Sequence, residues 1–153
     1  MAAFNKFQPF VEDMPEKVHN LGADTLRLLL TNTAPNAADT HVDTVETPCK
    51  VEATSNAVEI AAGNGYTKKG ESITVTASSQ AAGVYKLIGN DVVWTATGAV
   101  GPFRYVVLYN DTAGAAATRQ AIGWWDYGSS INLANGETFT VDFSAVDGIL
   151  SIT

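Results

Sequence analysis

The chain has 153 residues, a formal charge of −7 and only 16% charged residues, so about one domain is expected. Nine basic residues face sixteen acidic ones, and no basic patch for nucleic acid is visible. The chain has no run of about 18 apolar residues that would span a membrane, and it lacks the blocks of like charge typical of disorder. These features favour a globular domain that binds neither nucleic acid nor membrane.

Residues 1–22 are predicted to form an arm with a short helix, followed by one domain over residues 23–153. Apolar side chains recur at spacings of three and four in the first segment, which is the helical period. Because Pro15 suits the first position of a helix but breaks a helix interior, we expect the helix over about residues 15–20. His19 would then lie at the helix C-terminus, where a cation is favoured.

Three phenylalanines precede that helix, at Phe4, Phe7 and Phe10. They are a heavy apolar load for a terminal segment, because chain termini often fray. Their rings pack either onto their own domain or onto a neighbouring molecule. In the second case Phe4, Phe7 and Phe10 are partner-binding residues, since buried aromatic side chains commonly dominate interface energies.

From Ala23 onward the pattern becomes β. Apolar, aromatic and β-branched runs, several of them alternating with polar residues, are separated by Gly, Asn and Asp turns. They predict strands at residues 24–31, 72–77, 84–88, 92–97, 103–109, 121–127, 130–133, 138–143 and 149–153.

The regions between these strands contain turn and loop signals. Residues 32–43 are predicted to form a loop, residues 42–51 hold an extended piece that Pro48 confines to an edge or a bulge, and residues 57–60 are ambiguous. Gly128-Ser129-Ser130 is expected to end a strand, and Asn135-Gly136 predicts a hairpin of residues 130–133 with 138–143.

Roughly eight strands with frequent turns predict an all-β, antiparallel β-sandwich or jelly-roll-like domain with an N-terminal arm and short helix. The chain shows no helical crossover of the length that a parallel sheet needs, so a nucleotide-binding α/β fold is not expected.

No cofactor or metal site is expected. Gly63 and Gly65 are followed neither by a third glycine nor by a helix pattern, so they do not form a dinucleotide-binding loop. His19, His41 and Cys49 are too few and too far apart for a zinc site. Cys49 is the only cysteine, so it forms no disulfide within the chain, and we expect a buried thiol.

No catalytic residues are expected either. Glycosidase chemistry needs two carboxylates held about 5 Å, or 6.5–9.5 Å, apart. The candidates are scattered among strand ends and faces, at Asp111, Asp126, Glu137 and Asp142. The sequence brings no two of them together, so an enzyme such as a glycan hydrolase is the least favoured function.

The adjacent residues Trp124 and Trp125 place the strongest constraint on the packing of the predicted sheet. Successive strand residues face opposite sides, so both cannot be core in a sheet that is buried on one face. One of them therefore covers a second layer, lies under the arm, or meets a partner. With Asp126 and Tyr127, the pair also matches the aromatic-plus-carboxylate groups that bind sugars.

Several segments carry a family resemblance that spans nearly the whole chain: residues 4–7, 16–22, 30–35, 101–112 and 122–131. They resemble a group of small virion structural proteins encoded by tailed bacteriophages. The resemblance implies a non-enzymatic virion protein, and together with the size of the chain it suggests a head decoration (cement) protein that ties capsid subunits together.

In that role the partners would be the major capsid protein, other copies of this chain, or both, with a homo-oligomer on the particle. The resemblance implies a place on the capsid surface of the virion, after assembly in the host cytoplasm. The partner-binding residues expected from the sequence are Phe4, Phe7, Phe10 and Trp125. The alternatives are a tail or tail-fibre component and a glycan-binding adhesion module.

Overall fold

The computed structural model describes residues 2–153, which form thirteen strands and one short helix. In chain order these are β1 (Phe4–Lys6), α1 (Phe10–Asp13), β2 (Leu26–Thr31), β3 (His41–Asp43), β4 (Lys50–Glu52), β5 (Ala57–Val58), β6 (Glu71–Ser72), β7 (Val75–Ala81), β8 (Val84–Gly89), β9 (Val92–Thr95), β10 (Val100–Asn110), β11 (Arg119–Leu133), β12 (Thr138–Val141) and β13 (Leu150–Ile152). All strand pairs are antiparallel. The predicted all-β, sandwich-like fold is confirmed.

The principal sheet has the strand order β5-β4-β3-β11-β10-β2-β6. β10 pairs along one edge of β11, and the other edge carries both β3, at Arg119 and Gln120, and β1, at residues 123–125. The arm is therefore a strand of the principal sheet. A second layer consists of two small sheets, β12-β9 and β13-β8-β7.

The principal sheet curls until the chain after β5 meets β2. A bridge joins Thr31 to Glu59, just beyond β5, and the Ile60 N–H donates to the Leu30 carbonyl at 2.9 Å. The path from β5 to β2 is closed in this way, which removes sheet edges that would otherwise be free. The curled sheet surrounds a smaller apolar cluster that contains Phe7, Leu29, Val42, Cys49, Val51, Ala57, Val107, Tyr109 and Ala121.

The outer face of the curled sheet packs against the second layer in a larger apolar cluster. Leu28 and Leu30 of β2 belong to this larger cluster, whereas Leu29 between them belongs to the smaller one. Both faces of β2 are thus buried, and so are both faces of β10 at Val107 and Leu108. Burial on two sides explains why these strands are nearly continuous apolar runs rather than alternating ones.

The predicted helix over residues 15–20 is wrong. The helix is α1, and residues 14–17 form turns, with Lys17 in the left-handed region at φ 62°. Pro15 has no N–H with which to continue the helix, so the helix ends before it. Pro9, whose fixed φ suits a helix start, precedes α1 instead.

The predicted hairpin of residues 130–133 with 138–143 is also wrong. The turn at Asn135-Gly136 forms, but β12 pairs with β9, and the end of β11 pairs with β10 at Val100. The Gly136 N–H donates to the Ala96 carbonyl at 2.7 Å, so the turn is bonded to the chain after β9. It carries the chain from one layer to the other, which lets both flanking segments bury apolar side chains in the larger cluster.

The expected strand end at residues 128–130 is an irregularity within β11 instead. Tyr105 pairs with Asp126 and Phe103 with Ile131, so β11 advances five residues where β10 advances two. Extra residues on one strand form a bulge, and Gly128 supplies the positive φ of 96° found there.

Candidate functional site

Trp124 and Trp125 lie on opposite faces of β11, as the alternation of strand residues requires. Trp124 is half-buried beside Phe7, with ring centroids 4.6 Å apart, at the smaller cluster. Trp125 is 8% exposed in the larger cluster, and its ring lies 5.1 Å from that of Phe4. An aromatic side chain of the arm therefore covers each tryptophan.

Gly123 allows the arm to approach β11 so closely. β1 pairs with β11 so that Lys6 lies opposite Gly123. A Cβ atom on Gly123 would overlap the Phe4 ring and would lie 2.7 Å from the carbonyl oxygen of Asn5. No residue with a side chain fits here without moving the arm.

The four expected partner-binding residues all make contacts within their own domain. Phe7 is fully buried, Phe10 and Trp125 are 6% and 8% exposed, and Phe4 is half-buried. Their contact with a partner stays a prediction. As anchors, the three phenylalanines would first have to leave these positions.

An open groove of about 330 Å³ lies beside Trp125, between β11 and β12; we call it the β12 groove. Its lining residues are Ala2, Val106, Trp125, Tyr127, Phe139, Thr140, Val141, Asp142 and Phe143. Tyr127 is 59% exposed and meets Phe139 edge to face, at 6.2 Å between centroids. The groove is a mainly apolar surface with aromatic walls that solvent reaches.

The residues predicted to bind a sugar, Trp124 or Trp125 with Asp126 and Tyr127, are divided between two sides of the sheet. Trp125 and Tyr127 line the β12 groove, but Asp126, between them in sequence, does not. Asp126 accepts two hydrogen bonds from Arg104, at 2.7 and 2.8 Å. This guanidinium lowers the pKa of Asp126, and the carboxylate raises the pKa of Arg104. Asp142 is the carboxylate that lines the groove.

The other acidic candidates are engaged elsewhere. Asp111 pairs with Lys69 at 3.5 Å and with Arg119 at 3.4 Å. Glu137 accepts the Ala134 N–H at 2.7 Å and so closes the turn before β12. These carboxylates have separate structural partners, as expected for acids scattered over strand ends.

A second groove, of about 510 Å³, lies between the N-terminal segment and the last four residues; we call it the arm groove. It is lined by Phe4, Lys6, Phe10, Val11 and Met14 of the N-terminal segment and by residues 150–153. The arm groove separates the arm from β13, and β13 pairs with β8.

Cys49 is buried in the smaller cluster, as expected for a lone thiol. Burial, together with the nearby Glu59 carboxylate, raises the pKa of Cys49 to about 12. The thiol therefore stays protonated at neutral pH and is a poor nucleophile.

His19 is not at a helix end, contrary to expectation. It is buried between Phe10, with centroids 5.3 Å apart, and Asn110, whose amide nitrogen lies 3.0 Å from Nδ1. Burial lowers the pKa of His19, and the Asp24 charge opposes this. Nε2 lies 3.6 Å from the Asp13 carboxylate, whose pKa is raised by burial and by Glu12.

His41 lies in β3, where Nε2 is 3.5 Å from the Glu52 carboxylate. Within residues 2–153, no group of three or more His, Cys, Asp or Glu side chains is placed to hold a metal ion. No helix formed by these residues has the length and apolar character needed to cross a membrane.

Comparison of the chain with family models, with curated proteins and with solved structures finds no match.

The sequence reasoning found Trp125 and Tyr127 but missed the opposite wall of the β12 groove, which is built from residues 139–143. A signal was present, because Phe139, Val141 and Phe143 alternate with polar residues. Without the pairing of β12 to β9, nothing in the sequence placed this stretch across from Trp125.

Proposed function

We propose that this chain is a non-enzymatic structural protein of a tailed-bacteriophage virion that binds the outside of the capsid lattice and stabilises it. The resemblance of residues 101–112 and 122–131 to small virion proteins is the reason for choosing a phage particle. Its partners are the major capsid protein, neighbouring copies of the chain, or both.

The observation that carries this proposal is the β12 groove, an open apolar surface on a closed β body. Trp125, Tyr127 and Phe139 contribute aromatic surface to it. Aromatic side chains in a groove are typical anchors of protein interfaces, because they bury a large area with few rotatable bonds. A decoration protein needs such a surface rather than a reaction centre.

The edges of the second layer support the same function. Four strands there carry no charged residue, namely β7, β9, β12 and β13. Natural proteins usually protect free strand edges with charges, prolines or bulges, since bare edges pair with other chains. Uncharged edges are compatible with a protein that packs against a shell, because few ions must lose water when a neighbour docks.

Binding to expanded capsids tests the proposal. The full-length chain should sediment with capsids and should occupy symmetry-related positions on the outer surface in a density map of the virion. Density on the tail would favour a tail component instead, and failure to bind any part of the particle would overturn the proposal. Deleting residues 1–22 is a poor variant, because it removes β1 and uncovers both tryptophans.

Glycan binding is the second candidate, favoured by the exposed ring of Tyr127 and the Asp142 carboxylate, which line the same groove. Sugars stack on aromatic faces while a carboxylate accepts hydrogen bonds from their hydroxyls. A glycan array should then give hits that Tyr127→Ala abolishes. Tyr127 is a better probe than Trp125, whose truncation would open a cavity in the larger cluster.

A further inference from the structure

We propose that the β12 groove takes an extended segment of a partner protein, which pairs with the free edge of β12 as an added strand and places a basic residue beside Asp142. This deepens the proposed function, and it rests on that function only for the partner being a virion protein.

The backbone of β12 is open on the side of the groove. Among the strands of residues 2–153, β12 pairs with β9 alone. The Ala96 N–H donates to the Glu137 carbonyl at 2.8 Å, just before the register that pairs Thr138 with Thr95. Hydrogen-bonded and non-bonded pairs alternate along an antiparallel ladder, so the N–H and C=O groups of Thr138 and Thr140 point away from β9.

The same alternation turns the backbone groups of Asp142 to the free edge. All residues from 139 to 143 line the groove, although successive side chains face opposite sides. A groove lined by consecutive residues runs along the edge of the strand rather than over one face. An extended segment lying there would find unpaired backbone groups on one side, as in strand addition to a sheet edge.

The floor of the groove selects an apolar segment. Trp125 and Phe143 contact each other, with centroids 6.0 Å apart, and belong to the larger cluster. Tyr127 forms the exposed end. Alternate side chains of an added strand would cover these rings, so β-branched or aromatic residues at every second position fit best.

Charge selects a partner other than this chain. Asp142 is the one charged residue among those that line the groove, and within residues 2–153 it forms no ion pair. The whole chain carries a formal charge of −7. A second copy would bring its own Asp142 and the same net charge to this edge, whereas a segment with Lys or Arg at that end complements it.

Synthetic peptides test the groove directly. The probes are acetylated nine-residue peptides of alternating Val and Thr that carry one Lys at the first or the last position. Matched controls replace Lys by Glu, or methylate alternate backbone nitrogens. One Lys peptide should shift the amide resonances of Thr140 and Asp142 in the full-length protein, and both controls should bind at least about fivefold more weakly. The inference is wrong if neither Lys peptide shifts these resonances.

Substitutions on the free edge give a second test. Thr140→Pro removes an outward N–H at the groove, and Thr138→Pro removes an outward N–H that does not line it. Only Thr140→Pro should abolish peptide binding. If Thr140→Pro does not fold, substitution of the exposed Asp142, Asp142→Asn, replaces it and should weaken binding of the Lys peptide alone. Equal affinity for wild-type protein and Asp142→Asn would contradict the charge assignment.

Capsid binding by the same variants separates this inference from the proposed function. Capsid binding that is lost in Asp142→Lys but kept in Thr138→Pro would support both. If Asp142→Lys binds capsids as well as the wild-type protein, the β12 groove is not the contact with the capsid. The proposed decoration function would then still hold. Peptide binding without capsid binding would support the groove and overturn the proposed function.

Discussion

The hydroxyl of Tyr66 lies where the principal sheet closes on itself. It accepts the Leu30 N–H at 3.1 Å and donates to the Glu59 carboxylate at 2.8 Å. Glu59, which is 3% exposed, also accepts the Cys49 N–H at 3.1 Å. A single buried carboxylate thus connects β2, the chain after β5, and the start of β4. Burial, reinforced by Glu59, raises the pKa of Tyr66, so the hydroxyl keeps its proton.

Tyr66→Phe should therefore lower the free energy of unfolding by about 1–3 kcal/mol, because two buried partners lose their hydrogen bond. Urea denaturation followed by circular dichroism measures the change. Tyr85→Phe is the matched control, since its hydroxyl meets Ser78 at 2.9 Å in a solvent-exposed position. Its effect should stay within about 0.5 kcal/mol. Equal effects of the two substitutions would argue against a role of Tyr66 in closing the sheet.

His19 makes stability depend on pH. Its pKa in the folded protein is lowered from the ordinary value of 6.5, chiefly by burial. As the pH falls through 6.5, the unfolded chain takes up a proton at His19 before the folded protein does. Stability therefore decreases as the pH falls. The melting temperature should therefore drop between about pH 7.5 and about pH 5.5, and His19→Gln should reduce the drop.

Asp13 has the opposite effect on the pH dependence of stability. Its pKa is raised from 3.8 by burial and by Glu12, so its protonation favours the folded state and acts in the opposite direction. Identical slopes for wild-type protein and His19→Gln above about pH 5.5 would show that His19 is not the responsible group.

At the scale of elements, β11 organises the molecule. This strand of 15 residues pairs with β10 along one edge and with both β1 and β3 along the other. Its two faces contribute to the two apolar clusters, through Ile122 and Trp125 on one side and Ala121 on the other. The arm pairs with β11 at residues 123–125, with Lys6 opposite Gly123.

Gly123→Ala should displace the arm, because the new Cβ would overlap the Phe4 ring and approach the Asn5 carbonyl. We expect a loss of about 1–3 kcal/mol in the free energy of unfolding, as for other overpacked sites. Chymotrypsin should also cleave at Phe4 and Phe7 much faster than in the wild-type protein.

The control for this substitution is a double-mutant cycle. Phe4→Ala removes the ring that the new methyl group meets, so Gly123→Ala should cost less in the Phe4→Ala background. Additive effects would mean that the methyl group acts on something other than the arm. Unchanged proteolysis of the single variant would mean that the arm tolerates the methyl group in place.

Local sequence patterns predicted the positions of the strands better than they predicted which strands pair. Residues 138–143 read as a strand because apolar and polar side chains alternate, and β12 lies within them. The choice of β9 rather than the end of β11 as its partner depends on which layer each apolar face meets, and that is a property of the whole fold. The predicted helix position was wrong for a local reason. Both Pro9 and Pro15 suit the start of a helix, and the sequence pattern did not decide between them.

At the scale of the whole molecule, the two apolar clusters share the same strands. β2 and β10 each contribute to both, through opposite faces. If β2 and β10 leave one cluster, their opposite faces also leave the other cluster. Unfolding of either cluster therefore exposes apolar side chains of both. We therefore expect residues 2–153 to unfold as one cooperative unit despite their division into two layers.

Fluorine labels on the three tryptophans test this expectation without substitutions. Trp94 reports on the second layer, Trp125 on the larger cluster beside the arm, and Trp124 on the contact with Phe7. Their resonances should change at one urea concentration, together with the circular dichroism signal. Earlier loss of the Trp124 resonance would show that the arm and the smaller cluster open separately.

The sequence alone determined the all-β class, most strand positions and the placement of Trp124 and Trp125 on opposite faces, because these depend on side-chain alternation between near neighbours. Tertiary structure decided the closure of the sheet at Glu59, the docking of Phe4 onto Trp125 and the wall of the β12 groove. Each of these joins residues far apart in the chain, and local patterns do not select among the possible strand pairings.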